Sequence, residues 1–275
     1  MYKAQITLSV PMGKRLIAKA IAALPDVKKA LREGNILLKG GTTVSAVSEE
    51  LIGSSLRVSG RITLRGTVSC NKNILTYPHS ILIHKGEAQN VDSCLPQVVS
   101  EMRSSDIAVC GANLIDAHRR AAMMAGSPLG GAPGQIVSTL EAEGIIAVGL
   151  EKFAPCSLDD AILECGRKKI DTSMGMSVGL IPIPGRLISE IEALSILAHV
   201  RACVIGRGGI RGGEGSTTFV ISGEKPEVEK ILHLISTLLM VSESGVEESL
   251  NECSSGGPGC KTHLGCWYRN CLMKG

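Results

Sequence analysis

NILLKGGTTVSAVSEELIG, residues 35–53, reads as a short apolar strand, a Gly-Gly-Thr-Thr turn and an amphipathic helix. Glycines let a backbone approach a ligand closely, and a helix start offers free N–H groups to a phosphate or carboxylate. Lys39, Gly40, Gly41, Thr42 and Thr43 are therefore expected to form an anion cradle. The same residues also read as a plain strand-to-helix turn with a Thr N-cap.

Two more apolar runs end in polar turns. DIAVC (106–110) runs into Gly111-Ala112-Asn113, with Asp116 close behind. IIAV (145–148) runs toward Glu151-Lys152. Helices are expected between such runs, over residues 43–51, 91–102, 135–143 and 158–166. Strands apolar on both faces that alternate with helices predict a parallel, Rossmann-like α/β sheet. Ligands bind such sheets beyond the C-terminal ends of the strands. The expected ligand-binding set is thus Lys39, Gly40, Gly41, Thr42, Thr43, Gly111 and Asn113, covered by Gly130 and Gly131 of the loop GSPLGGAPG (126–134). Asp116 and Glu151 are the carboxylates on hand for proton transfer, and Lys39 or Lys152 would complement an anionic charge. Glu151-Lys152 reads equally well as a solvated ion pair.

Upstream, residues 12–31 look helical, with Pro25 expected to break or kink the helix. Residues 56–69 suggest extended pieces or a hairpin. After residue 172 the order becomes strand (173–183), helix (187–198), strand (200–206), strand (217–223) and helix (226–239). That order is most of a ferredoxin-like α+β unit. Three regions are expected: a Rossmann-like ligand-binding domain over 1–172, the ferredoxin-like module over 173–241 and a Cys-rich tail over 242–275.

In the tail, Cys253-x6-Cys260-x5-Cys266-x4-Cys271 encloses His263. Four thiolates, or three with His263, can hold zinc or an iron–sulfur cluster. Thiolate ligation suits both metals, and every gap is longer than a C-x2-C knuckle. Local disulfides or a disordered reactive tail are the alternatives. The other six cysteines are scattered through apparent strands and helices, where a free thiol packs as a small hydrophobe. The loop GRGGIRGGEG (206–215) lies between two expected strands and does not satisfy G-x-G-x-x-G. It reads as a hairpin connection, or as a flap whose Arg207 and Arg211 close on an anion. His79, His84, His118, His199 and His233 show no ligand spacing, although His118 lies close enough to Asp116 to join the site.

Composition narrows the classes. The chain has 275 residues, 44% hydrophobic and 20% charged, with one Trp, three Tyr and two Phe, so its core is aliphatic. A net charge of +3 without a basic run or stacking aromatics argues against nucleic-acid binding. The sequence holds neither a run long enough to span a bilayer nor a signal-peptide pattern, so no membrane partner and a cytoplasmic location are expected. Aliphatic sheets of this class often pair into homo-oligomers.

GGTTVSAVSEEL, AVCGANLID and AVGLEKF together resemble the superfamily of ribose-5-phosphate isomerase, glucosamine-6-phosphate deaminase, the CoA transferases and the sugar-sensing domains of bacterial repressors. Gly40–Thr43 match its phosphate-binding turn, and Gly111-Ala112 its second turn, with Asn113 where many members carry Asp. An amide cannot serve as a carboxylate base. The resemblance implies a small anionic ligand, phosphorylated or CoA-like, and isomerase, deaminase or transferase chemistry. A non-enzymatic sensor switched by a tail metal, and an iron–sulfur protein with redox or sulfur chemistry, are the alternatives.

Overall fold

The computed structural model describes residues 1–70, 76–143, 146–148, 157–253 and 258–269. In chain order the elements are β1 (Tyr2–Leu8), α1 (Val10–Ala23), α2 (Pro25–Glu33), β2 (Asn35–Lys39), α3 (Thr42–Ile52), β3 (Gly60–Thr63), β4 (Gly66–Ser69), β5 (Ser80–His84), β6 (Glu87–Asn90), α4 (Leu95–Glu101), β7 (Ile107–Gly111), β8 (Leu114–Ile115) and β9 (Ala121–Ala125). They continue with α5 (Gly131–Glu143), β10 (Ile146–Val148), α6 (Leu158–Glu164), β11 (Gly179–Ile183), β12 (Arg186–Ile188), α7 (Glu190–Leu197), β13 (Val200–Gly208), β14 (Ser216–Gly223) and α8 (Lys225–Ser236).

Residues 35–53 become β2, a turn and α3, and β2 lies inside a six-stranded sheet of order β12-β10-β7-β2-β5-β6. The first four strands of that order are mutually parallel, while β5 and β6 run antiparallel at one edge. The sheet is therefore mixed where a parallel one was expected. β2 reads as an unbroken apolar run because both of its faces are covered. Ile36 and Leu38 share a core with Val109 and with residues of α1 and α3. Leu37, Ala108 and Cys110 face the other way, onto Leu95 and Val99 of α4 and Ile136 and Leu140 of α5.

Pro25 makes a clean break rather than a kink. It lacks an N–H and disfavours helical geometry in the residue before it, so Leu24 is extended (φ −61°, ψ 133°) and α2 starts afresh.

The expected ferredoxin-like run is divided among three sheets. β13 and β14 pair, as their spacing suggests, but the third strand beside them is β1, matched to β14 from Tyr2↔Gly223 to Leu8↔Thr217. β12 joins the large sheet through β10. The expected strand over 173–183 is shorter, beginning at Gly179, and pairs with β9. Pro182 explains that place: without an N–H it is tolerated on an edge strand, and β11 is the edge of the sheet β11-β9-β8. Pairings thus cross residue 172 in both directions.

The described part of the tail is docked along the body. The Val246 N–H donates to the Leu56 carbonyl, and the Cys253 N–H to that of Ser69. Further on, Ser173 donates to Gly265 and Trp267 to Ser173. Among the described residues no helix is long and apolar enough to cross a membrane.

Candidate functional site

The turn after β2 shows why its two glycines are needed, and the reasons differ. A Cβ on Gly40 would lie 2.1 Å from the His79 carbonyl oxygen and 2.5 Å from its Nδ1, because the histidine is laid against this backbone. The Gly40 N–H donates to that same carbonyl at 2.7 Å. Gly41 has open space around it but adopts φ 157° and ψ 161°, a conformation essentially restricted to glycine. Gly41 is also the N-cap of α3, and no side chain caps the helix there. The Thr N-cap alternative is thereby corrected, since Thr42 is already the first helical residue. The first-turn N–H groups have no side-chain cap, and Gly41, Thr42 and Thr43 line a cleft.

That cleft measures about 630 Å³, within the usual range for small-molecule sites. Lys39, Gly40, Gly41, Thr42, Thr43, Gly111, Asn113, Gly130 and Gly131 all line it, so the turns expected to converge do so. Asn113 is oriented by its Oδ1, which accepts from the Met124 N–H at 2.9 Å, so its amide NH2 remains a donor. α5, which opens at Gly131, brings a second helix start to the wall.

Asp116 is not part of the cleft. Its side chain is buried, with Oδ1 accepting from the backbone N–H groups of His118 and Arg120 and Oδ2 from Arg120 Nε and the Leu158 N–H. Burial works to raise its pKa, but the donors from Arg120 and Leu158 and the Arg120 charge outweigh it and hold the carboxyl below its ordinary value. A carboxylate so fully used is a structural anchor, which corrects the expectation of an acid/base role. His118 donates its own N–H to this anchor and lines no part of the cleft. Glu151 and Lys152 lie outside the described residues.

Several groups at the cleft had no clear signal in the sequence. Arg61, on β3, donates from Nη2 to the carbonyls of Val58 and Ser249. Its Nε and Nη1 are buried without a hydrogen-bond partner. Burial pulls its pKa down against the opposing pull of Cys70, Glu252 and Cys253, yet a guanidinium remains charged. Arg61 reaches the cleft because the β3–β4 hairpin is clamped beside it: Thr67 N–H donates to Met174 O at 3.1 Å, and Met176 N–H donates to Thr67 O. Arg207, from the start of the glycine-rich loop, also lines the cleft, while its Nη2 donates to the Gly215 carbonyl. The loop is thus a hairpin connection that still delivers an arginine.

His79 is the other unforeseen group. Its Nδ1 lies 2.9 Å from the Arg57 carbonyl, which can only accept, so Nδ1 carries the proton and Nε2 is left as the acceptor. Burial, with the nearby Lys39 charge, lowers its pKa to about 4. Residues 80–84 form the antiparallel neighbour of β2, which puts the start of that strand beside the end of β2.

The wall is electropositive. Lys14, Lys39, Arg61 and Arg207 line it, and Glu243 is the sole lining carboxylate among the described residues. Glu243 is already paired with Lys14 at 2.5 Å.

The tail contributes His263 to the wall. Cys253 sits beside Ser69, and Cys266 is bridged to Ser173. Cys260 lies in a short helical turn, and Cys271 is outside the described residues. Among the described residues no three His, Cys, Asp or Glu side chains gather as a metal site. The described cysteines are free thiols, and Cys203 is exposed rather than packed in a core. No family model, no curated protein and no solved structure matches this chain.

Proposed function

We propose that the cleft binds a small phosphorylated metabolite, with Arg61 and the open first turn of α3 as its anion-holding groups. The observation that carries this reading is the guanidinium of Arg61, buried at the cleft with two nitrogens unmet. Buried polar groups are nearly always paired, so a guanidinium with unmet donors beside a cavity favours an anion there. Phosphate oxygens accept strongly from guanidinium N–H groups. The excess of cations on the wall and the uncapped start of α3 favour the same charge. CoA-like ligands share this chemistry through their phosphates. Isomerase- or transferase-type turnover is part of the reading, but it cannot run through Asp116, whose oxygens are occupied.

The test uses a variant that spares the fold. Glu at position 42 would place a carboxylate in the first turn of α3, where it favours the helix yet repels an anion. Thr42→Glu is therefore expected to keep or raise Tm while weakening binding of inorganic phosphate and ribose 5-phosphate by about 10–30-fold in calorimetric titration. Unchanged phosphate binding in the variant, or no binding by the parent protein, would remove the reading.

A further inference from the structure

Lys39 ends β2 at the floor of the cleft, and its Nζ makes neither a hydrogen bond nor an ion pair among the described residues. Its neighbours in register are Cys110 on β7 and Ser80 on β5, which are 0% and 1% exposed. Beside the turn stands His79, its Nδ1 committed to the Arg57 carbonyl and its Nε2 open. An ammonium without a counter-ion is a costly thing to keep in such a place, and an apolar side chain would fill it more cheaply.

We propose that Lys39 is the reactive amine of this protein: its Nζ condenses with the carbonyl of a phosphorylated aldehyde or ketone to form an imine, with His79 as the proton shuttle. The inference rests on the anion-binding reading above, which supplies the phosphate end of the substrate. In the addition step the amine lone pair forms the N–C bond, and the carbonyl π pair moves onto oxygen. His79 Nε2 takes a proton from nitrogen and passes it to that oxygen. Expulsion of the oxygen then carries away the second amine hydrogen. The balance is an amine plus a carbonyl giving an imine plus water, with no oxidant or reductant entering.

The surroundings keep the amine usable. Addition needs a neutral nitrogen, and burial lowers the pKa of Lys39. The thiol of Cys110 is pushed up to about 11 by its own burial and so stays neutral. Cys110 opposes the effect of burial on Lys39, but burial is the larger cause; His79 is neutral, and Glu243 is engaged by Lys14. Arg61 and Arg207 on the same wall disfavour a further positive charge.

Pyridoxal 5′-phosphate serves as the probe, being itself a phosphorylated aldehyde. The full chain is incubated with it, reduced with borohydride and mapped by peptide mass. Lys39 is expected to be labelled at least about tenfold faster than the exposed Lys28 and Lys168, with inorganic phosphate slowing the reaction. Pyridoxal without the phosphate should lose that advantage. Lys39→Met should abolish the fast adduct, and His79→Gln should slow labelling by about tenfold or more, each in a protein whose Tm shows it folded. Lys39 labelled no faster than Lys28, in a protein that still binds phosphate, would overturn the imine assignment and leave the anion site standing. Fast labelling indifferent to phosphate would instead overturn the anion reading and the substrate class built on it. An unchanged rate in His79→Gln would overturn the shuttle.

Discussion

Asp116→Ala is expected to lower the free energy of unfolding by about 3 kcal/mol, measured by urea denaturation, without a measurable change in phosphate affinity. The carboxylate is 3% exposed and accepts three backbone N–H groups, from His118, Arg120 and Leu158, at 2.9, 2.9 and 3.2 Å. Through Leu158 it fastens the 116–120 turn to the start of α6. Alanine leaves those donors unmet in a place water does not reach, and that desolvation penalty is the main cost. The Arg120 guanidinium, largely solvated, adds little. Asp116→Asn should recover only part of the loss, because an amide turns an NH2 toward donors on one side. Lost phosphate binding in an otherwise stable Asp116→Ala protein would return this residue to the site.

What could be read in advance was local in sequence. The β2 turn and α3 follow from contiguous residues whose periodicity and glycines carry their own conformational instructions, and the Gly111–Asn113 and Gly130–Gly131 turns do likewise. Arg61 and His79 were opaque because their roles come from pairing. Arg61 belongs to a hairpin of unremarkable composition, and it is Met174 and Met176, more than a hundred residues on, that hold the hairpin at the cleft. His79 precedes a strand whose antiparallel place beside β2 is a property of the sheet alone. The small sheet shows the same thing: β13 and β14 were legible as a hairpin, but nothing in Tyr2–Leu8 announces that it will align with Ser216–Gly223 from the far end of the chain. Asp116 misled for a related reason. A carboxylate just past a strand end looks catalytic until its oxygens are found to be spent on the turn that follows.

Stability should fall as the pH drops through the window set by His79, and this is the most direct check on the neutral imidazole. In the unfolded chain the ring titrates near its ordinary 6.5, whereas in the fold it titrates near 4. Burial is the main cause, followed by the Lys39 charge, while the Arg57 carbonyl and Asp92 oppose the shift. Between those two values the unfolded chain binds a proton that the native protein refuses, so acid favours unfolding; above 6.5 the two states hold the ring alike and the effect vanishes. The full span corresponds to about 2–3 kcal/mol once access of cleft water to the ring is allowed for. The carboxylates held below their ordinary values, Glu49, Asp116 and Glu192, act in a lower window. Their contributions are intact above the unfolded values of 4.5 and 3.8 and disappear as the pH falls through the folded ones. Urea titrations between about pH 7 and pH 5 lie above that window, and comparison with His79→Gln removes what other groups contribute. The parent protein should lose stability steadily across that interval, and His79→Gln, which cannot take up the proton, should lose distinctly less. Equal slopes in the two proteins would mean that His79 is protonated as readily in the fold as outside it. The acceptor that the imine chemistry requires at Nε2 would then be missing through the acid side of neutrality.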